Sequence, residues 1–491
     1  MIILNEEWEV VMNSIVPKPI WPRMHRMVFL LGMAILAAGC SSSDPKPLTS
    51  QVIDAALTPP EMETLRVQAQ SIQHPLLRSL EIDGRDGFKP DEVAVLAVLV
   101  NPSLRAVRDA RGIASAQVLQ AGLLPNPSVS WSSEHPYAGP DNINAFGLGL
   151  SWDLSELISR SAKVEAAEAL AVSVDLDIAW EEWQVAQSAK SAACAVISLQ
   201  AQLVLARQAD QFLQDNLRII QKAVDLQQKT AVDLSAAQAA GQEAHTAVLE
   251  AERELDQKRL ALNRLMGVPF STEVKLQSAS VPDRREVLSP AQLQSGLEDR
   301  RLDLLALRRG YDSQEASVRA AILSRFPKTS AGLLRARDTG GVSTFGYELS
   351  ADLPLFDRNQ GSIALEKATR QLLFDEFINR VFEARNDIAV SVAEIDSLNR
   401  QIAFAESAVP VLERLVADYE KAVNVGNADV LSYYTARNDL DKKKIEIVKL
   451  KQERIDGWIA LENATGMYLP AAAADESGHP VSQNGSQGVS K

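Results

Sequence analysis

The chain has 491 residues and a net charge of −14, which argues against a nucleic-acid partner. Hydrophobic residues make up 46% but aromatics only 5%, so Ala, Val and Leu supply the apolar surface, as in extended helical packing. Two cysteines need no disulfide framework, and no two of the five histidines stand at metal-ligand spacing, so no cofactor or metal is expected.

Residues 1–39 read as a secretory signal whose true start is Met24, because Glu6, Glu7 and Glu9 are residues a basic n-region avoids. Val28 to Ala38 form an apolar run too short to span a membrane as a helix. Ala37-Ala38-Gly39-Cys40 resembles a bacterial lipobox, in which Cys40 becomes the lipidated first residue. Ala37 stands where Leu is commonest, and the alternative is a plain signal-peptidase site. Ser41 resembles the residue of lipoproteins sent to the outer membrane. Residues 40–89 then form a lipidated tether, extended through the Ser/Pro/Thr-rich stretch 41–60.

The first repeat covers 90–268. Pro90-Asp91-Glu92 starts a helix, which breaks near Pro102 and resumes to about Ala121. Two strands follow, 128–133 and 145–154, then a long helix 155–226 and a shorter one 231–266. The long helix alone would extend roughly 105 Å at 1.5 Å per residue. A linker occupies 269–296. The second repeat, 297–466, runs through a helix, strands 329–336 and 343–353, a long helix 357–423 and a helix 429–465. The tail 467–491 is expected to be disordered.

The repetition is explicit. Phe146-Gly147-Leu148-Gly149-Leu150-Ser151 returns 199 positions on as Phe345-Gly346-Tyr347-Glu348-Leu349-Ser350, and Ala261-Leu262 with Gly267 returns at the same offset as Ala460-Leu461 with Gly466. The strands at 145–154 and 343–353 alternate cleanly, apolar residues on one face and Gly, Ser, Glu or Asp on the other; their partners alternate more weakly. A ten-residue strand with an apolar outer and a polar inner face is a membrane β-barrel pattern, and a soluble hairpin is its alternative. Leu199, Leu203, Ala206, Leu213, Leu217, Ile220 and Val224 follow three/four steps, as do Leu398, Ile402, Ala405, Val409, Leu412, Val416, Tyr419 and Val423. Pro410 should kink the second stripe. The fold class is therefore mainly α with membrane β: an internally doubled chain with a long coiled-coil α-barrel and four strands per copy. Such a unit has strand edges that it cannot pair alone, which points to a symmetric assembly.

No nucleotide-binding loop, nucleophile elbow or metalloprotease motif is present. Cys194 reads as a small core residue; His74, His135 and His245 as structural or surface residues; Trp180 and Trp183 as packing. Asp225 and Asp233 flank the first helical reversal and Asp429 follows the second. In one chain they are turn or capping acids; in a closed ring they would form a candidate cation-favouring gate. The rivals to a channel are a periplasmic adaptor-type lipoprotein, a structural coiled-coil protein or an enzyme on a helical scaffold.

The layout resembles the TolC-like outer-membrane factor family, outer membrane efflux lipoproteins among them, from about Pro90 to Gly466. Asn101-Pro102-Ser103-Leu104-Arg105-Ala106 with Gln120-Ala121-Gly122-Leu123-Leu124-Pro125-Asn126-Pro127 is similar to its entry helix and first strand, and Ala460-Leu461-Glu462 with Gly466 to its closing helix. The resemblance implies a homotrimer with a twelve-stranded β-barrel in outer-membrane lipid and an α-barrel in the periplasm. It also implies a passive duct for small molecules or ions, without enzymatic activity, served by a periplasmic membrane-fusion adaptor and an inner-membrane pump. Val425-Gly426-Asn427 matches the family's adaptor-binding tip; the first tip, with Thr230 and Ala231, lacks the Val-Gly. Ser432 and Thr435 stand where some members carry two aspartates, so an acidic gate would fall to Asp429 or the first tip.

Overall fold

The computed structural model describes residues 45–277 and 289–469. The signal segment, Cys40 and residues 470–491 lie outside the described residues. Residues 45–58 group apart from the rest of the chain. Within them the expected extended tether is in part a helix, α1 (Ser50–Leu57), whose N-cap Thr49 accepts from the Val52 amide; no proline interrupts 48–58.

The remaining described chain contains α2 (Met62–Gln70), α3 (Pro90–Val100), α4 (Pro102–Gly122), β1 (Ser128–Glu134), β2 (Ala145–Asp153), α5 (Ser155–Asp225) and α6 (Ala231–Leu265). After them come α7 (Pro290–Gln294), α8 (Leu302–Leu323), β3 (Thr329–Arg337), β4 (Ser343–Ala351), α9 (Gln360–Asn424) and α10 (Val430–Thr465). Part of the segment expected to be tether is core: Leu65, Ala69, Leu77 and Ile82 are buried. Phe88 bridges Leu276 in parallel, tying residues before the first repeat to the linker. The linker also contributes α7 and buries Leu293, and the expected tail begins with packed residues, Tyr468 meeting Trp183 edge-on at 4.9 Å.

The long helices pack by the expected stripes. Leu199, Leu203, Ala206, Leu213 and Ile220 are buried, as are Leu398, Ile402, Ala405 and Val416. Near their far ends one apolar cluster joins both hairpins through Leu213, Ile220, Val416, Val430, Tyr433 and Tyr434. α5 also holds an apolar stretch long enough to cross a membrane by length and composition, half of which is buried within the fold. α9 continues as one helix through Pro410, the position at which the sequence places a kink. Pro410 is exposed, so the carbonyl that loses its amide partner stays in reach of water.

At the middle of the fold the repeat closes on itself twice. Asn101, at the α3–α4 junction, donates its side-chain amide to the Leu265 carbonyl at the end of α6 (2.8 Å). At the equivalent place, Arg300 Nε donates to the Thr465 carbonyl (2.9 Å) and Arg301 Nη1 to the Ala464 carbonyl (3.1 Å). The helix-ending glycines sit against these junctions with positive φ. A Cβ on Gly267 would lie 2.6 Å from Pro102, and one on Gly466 2.8 Å from Arg301. Each shorter helix is thereby clasped to the entry helix of its own half.

Candidate functional site

The four strands form one antiparallel sheet in the order β1-β2-β3-β4. Its register sorts side chains by chemistry. Val129 faces Leu150, Leu150 faces Leu333 and Leu333 faces Tyr347; one step along, Trp131, Leu148, Arg335 and Phe345 form the neighbouring row. On the other face Ser130 pairs with Gly149 and Ser132 with Gly147, and the hydroxyls of Ser128 and Ser151 meet at 2.7 Å. Ser330 and Ser350 meet likewise at 2.9 Å. The weakly patterned β1 thus obeys the same alternation, Ser inward and Val or Trp outward. Large apolar residues of the first face are open in one chain: Trp131 is 67% exposed, Tyr347 90% and Leu349 74%.

A nine-residue strand rises about 30 Å, or about 23 Å when tilted as in a barrel, close to the ~25 Å apolar band that a membrane barrel presents. Among the described residues, the outer edges of β1 and β4 have no strand beside them. Since β1 and β4 run in opposite directions, β4 of one copy can continue antiparallel onto β1 of another. Open edges of this kind are untenable in lipid.

The candidate tip residues gather at the far ends of the helical hairpins. α9 ends in a left-handed turn at Gly426 (φ 78°), with Asn427 N donating to the Ala422 carbonyl at 2.8 Å. Val425, Gly426 and Asn427 are exposed. Asp429 is the N-cap of α10: its carboxylate accepts from Ser432 N at 2.7 Å and from the Ser432 hydroxyl at 3.2 Å. The first tip, with Thr230 and Ala231 exposed, has the same backbone. Gln227 takes the left-handed position (φ 57°), Gln228 N donates to the Ala223 carbonyl (2.8 Å), and Thr230 caps α6 in a capping box with Asp233. The offset of 199 pairs Gln227 with Gly426, Thr230 with Asp429 and Asp233 with Ser432. Cap and partner have traded side chains while the geometry stayed. The Thr230 amide, then its hydroxyl, hold the Asp233 carboxyl below the usual range. Asp225 accepts from Gln221 Nε2 at 3.1 Å. The three acids are thus turn and cap groups within the chain, and nothing within one copy brings them together.

Both tips also expose an apolar pair, Leu226 with Val232 and Val425 with Leu431. The pair at the first tip escapes a search for Val-Gly; the 199 offset, which aligns Leu226 with Val425, is the signal that finds it.

Several groups named in the sequence have structural roles. His74 is buried, donates from Nε2 to the Ala179 carbonyl (3.0 Å) and accepts the Leu76 and Leu77 amides at Nδ1; burial lowers its pKa. His245 meets Asp210, the polar exception in the first stripe, at 3.2 Å. Trp183 is fully buried and Trp180 lies under the Arg301 guanidinium at 4.8 Å. Sequence reasoning missed the buried ion pair that places Arg301 there, since Asp303 holds it with contacts of 2.9 and 2.6 Å.

Residues 293–467 match the family model of outer membrane efflux proteins. No curated protein matches the chain at a significant level. The outer-membrane channel OprN superposes with a TM-score of 0.68 at 16% identity, covering 88% of this chain and 100% of its own. CusC, described by its transmembrane channel formation, gives 0.66 at 18%, covering 81% and 98%. The outer membrane protein VceC from Vibrio cholerae gives 0.63 at 18%, covering 78% and 97%. The chain thus has the fold of the TolC-like outer-membrane channels, and its second repeat carries the match to the efflux family.

Proposed function

We propose that three copies of this chain close their sheets into a twelve-stranded barrel in the outer membrane and their helices into a periplasmic tube. The assembly is a passive duct for small molecules or ions that an inner-membrane pump delivers through a periplasmic adaptor. The observation that carries this reading is the sheet itself, which has four strands, two edges without a partner strand among the described residues, one face of mostly large apolar residues and one of mostly small or polar ones, Leu334 being its exception. The duct needs no catalytic group of its own, because the pump supplies the energy. An adaptor-type lipoprotein would carry one helical hairpin; this chain has two, joined through a membrane sheet.

At the periplasmic end, we place adaptor docking on the exposed tips, Val425, Gly426 and Asn427 at the second and Thr230 and Ala231 at the first. Asp429, Asp225 and Asp233, repeated by the trimer, would ring this end with negative charge and favour cations. Lipidation of Cys40 would add a lipid anchor. The experiment is migration of the detergent-extracted protein with and without heating, together with conductance in planar bilayers. A heat-sensitive trimer that conducts is expected; a sealed monomer refutes the duct. Cys40→Ala should abolish lipid labelling, and persistent labelling refutes the anchor.

A further inference from the structure

Charge in the sheet is segregated by face. The acids within the strands, Glu134, Asp153 and Glu348, all lie on the small, polar face. The two arginines, Arg335 and Arg337, both lie on the apolar face, where Arg335 has Leu148 and Phe345 as cross-strand neighbours and Arg337 has Phe146 and Ser343. Both stand at the loop end of the sheet. At the opposite end the same face offers Val129, Trp152, Ala331 and Leu349, with no charge.

Two like charges two residues apart on one strand face lie about 7 Å from each other and repel. Among the described residues neither guanidinium has a carboxylate in an ion pair; Arg335 is exposed, and Arg337 is half-buried with its Nε enclosed and without a hydrogen-bond partner, which leaves its terminal nitrogens to meet a ligand. An arginine facing hydrocarbon is costly unless its head reaches the interface and finds an anion there. If the helices extend into the periplasm, the loop end of the sheet meets the outer leaflet.

We propose that Arg335 and Arg337, with the Ser343 hydroxyl beside them, form a binding site for the phosphate of an outer-leaflet lipid headgroup, one site on the lipid-facing rim of each protomer. The fork of each guanidinium matches phosphate oxygens, and the hydrocarbon of the lipid lies along Leu148 and Phe345. The site rests on the membrane placement of the sheet proposed above. It fixes the depth and rotation of the barrel at its outer rim, where the opposite rim is held by apolar residues alone.

The test is native mass spectrometry of the full-length trimer in neutral detergent, titrated with phosphatidic acid, with phosphatidylcholine and inorganic phosphate as separate probes. Phosphatidic acid should bind best, and Arg335→Ala with Arg337→Ala should weaken it roughly 30-fold. The paired lysine variants should retain part of the binding and thereby show that the sheet still forms. Equal binding by wild type and the alanine pair overturns the site, and displacement by equimolar inorganic phosphate overturns its assignment to lipid. Conductance is measured on the same preparations. Conducting trimers that do not prefer phosphatidic acid overturn the lipid site and leave the duct standing, whereas protein that neither inserts nor conducts overturns both.

Discussion

The clasp between α8 and α10 offers a direct test of how the second repeat is held. Arg301 and Asp303 are 5% and 6% exposed. The guanidinium grips the carboxylate with two bonds, donates a third to the Ala464 carbonyl and covers Trp180. Asp303 also accepts the Leu304 amide at 3.0 Å. Asp303→Ala leaves a buried cation with one carbonyl and a ring face, and Arg301→Met leaves a buried carboxylate with one amide. Each single change should cost about 3–5 kcal/mol, because desolvation is then uncompensated. Arg301→Met with Asp303→Leu removes both charges and should land within about 1 kcal/mol of wild type plus the loss of the bond to Ala464. The double-mutant cycle thus predicts a coupling of at least about 3 kcal/mol. Hydrogen exchange of the amides that begin α8 and end α10 measures the local opening energy, without requiring two-state unfolding of a large assembly. Single variants that cost under about 1 kcal/mol, or a double variant that costs the sum of the singles, would refute the argument.

At the tips, Gln227→Gly should stabilise the first hairpin by about 1 kcal/mol by relieving a left-handed non-glycine residue, read as slower exchange at 223–230. Gly426→Gln should cost the second tip a similar amount; no atom lies within 4 Å of the added Cβ, so trimers should persist while adaptor coupling, assayed by export, declines. Burial pushes the Cys194 thiol up to about 12, so it should resist maleimide in the native protein and react on unfolding. Asp177 is pushed up to about 6 by desolvation first and then by Asp303, Glu181 and Glu376. Its folded form therefore holds an extra proton between about pH 4 and 6, and stability falls as pH rises through that window. Asp177→Asn should change nothing below pH 4 and gain under about 1 kcal/mol at pH 7, since the carboxyl is partly solvated; a gain confined to acid pH would reverse the sign and refute the assignment.

What could be read in the sequence depended on whether the governing interaction was periodic. Strands β2 and β4 were legible because period-two alternation is a local property, and the heptad stripes of α5 and α9 because burial follows spacing. In β1 the inward residues are Ser128, Ser130 and Ser132, small groups facing Gly149 and Gly147, so contrast along the strand is low and only pairing reveals the face. The clasps were invisible because the repeat changed their chemistry. Asn101 and Pro102 stand at the positions of Arg300 and Arg301, and nothing in those pairs suggests that Asn101 and Arg300 both reach the end of a later helix, some 165 residues on. Arg301 and Asp303 stand two residues apart, yet the Trp180 ring that the guanidinium covers comes from a helix more than a hundred residues away.

The tips carry this furthest. Duplication has kept the backbone at both reversals: a left-handed residue, a carbonyl taken by the amide three residues beyond the helix, an N-cap and its partner three residues on. Side chains at those positions are free to trade, since Thr-x-x-Asp and Asp-x-x-Ser both supply an acceptor to the exposed amides of the next helix. A motif search sees only the second tip because it looks for glycine, the residue that adopts that turn without strain. The first tip makes the same turn with Gln227 and presents the same apolar pair beside it, so a trimer would offer six loops of one shape in two chemistries. A partner that binds by backbone shape and apolar contact can use all six, whereas one that reads the capping acid will find Asp429 as the cap itself on three of them and Asp233 one turn inside the helix on the others.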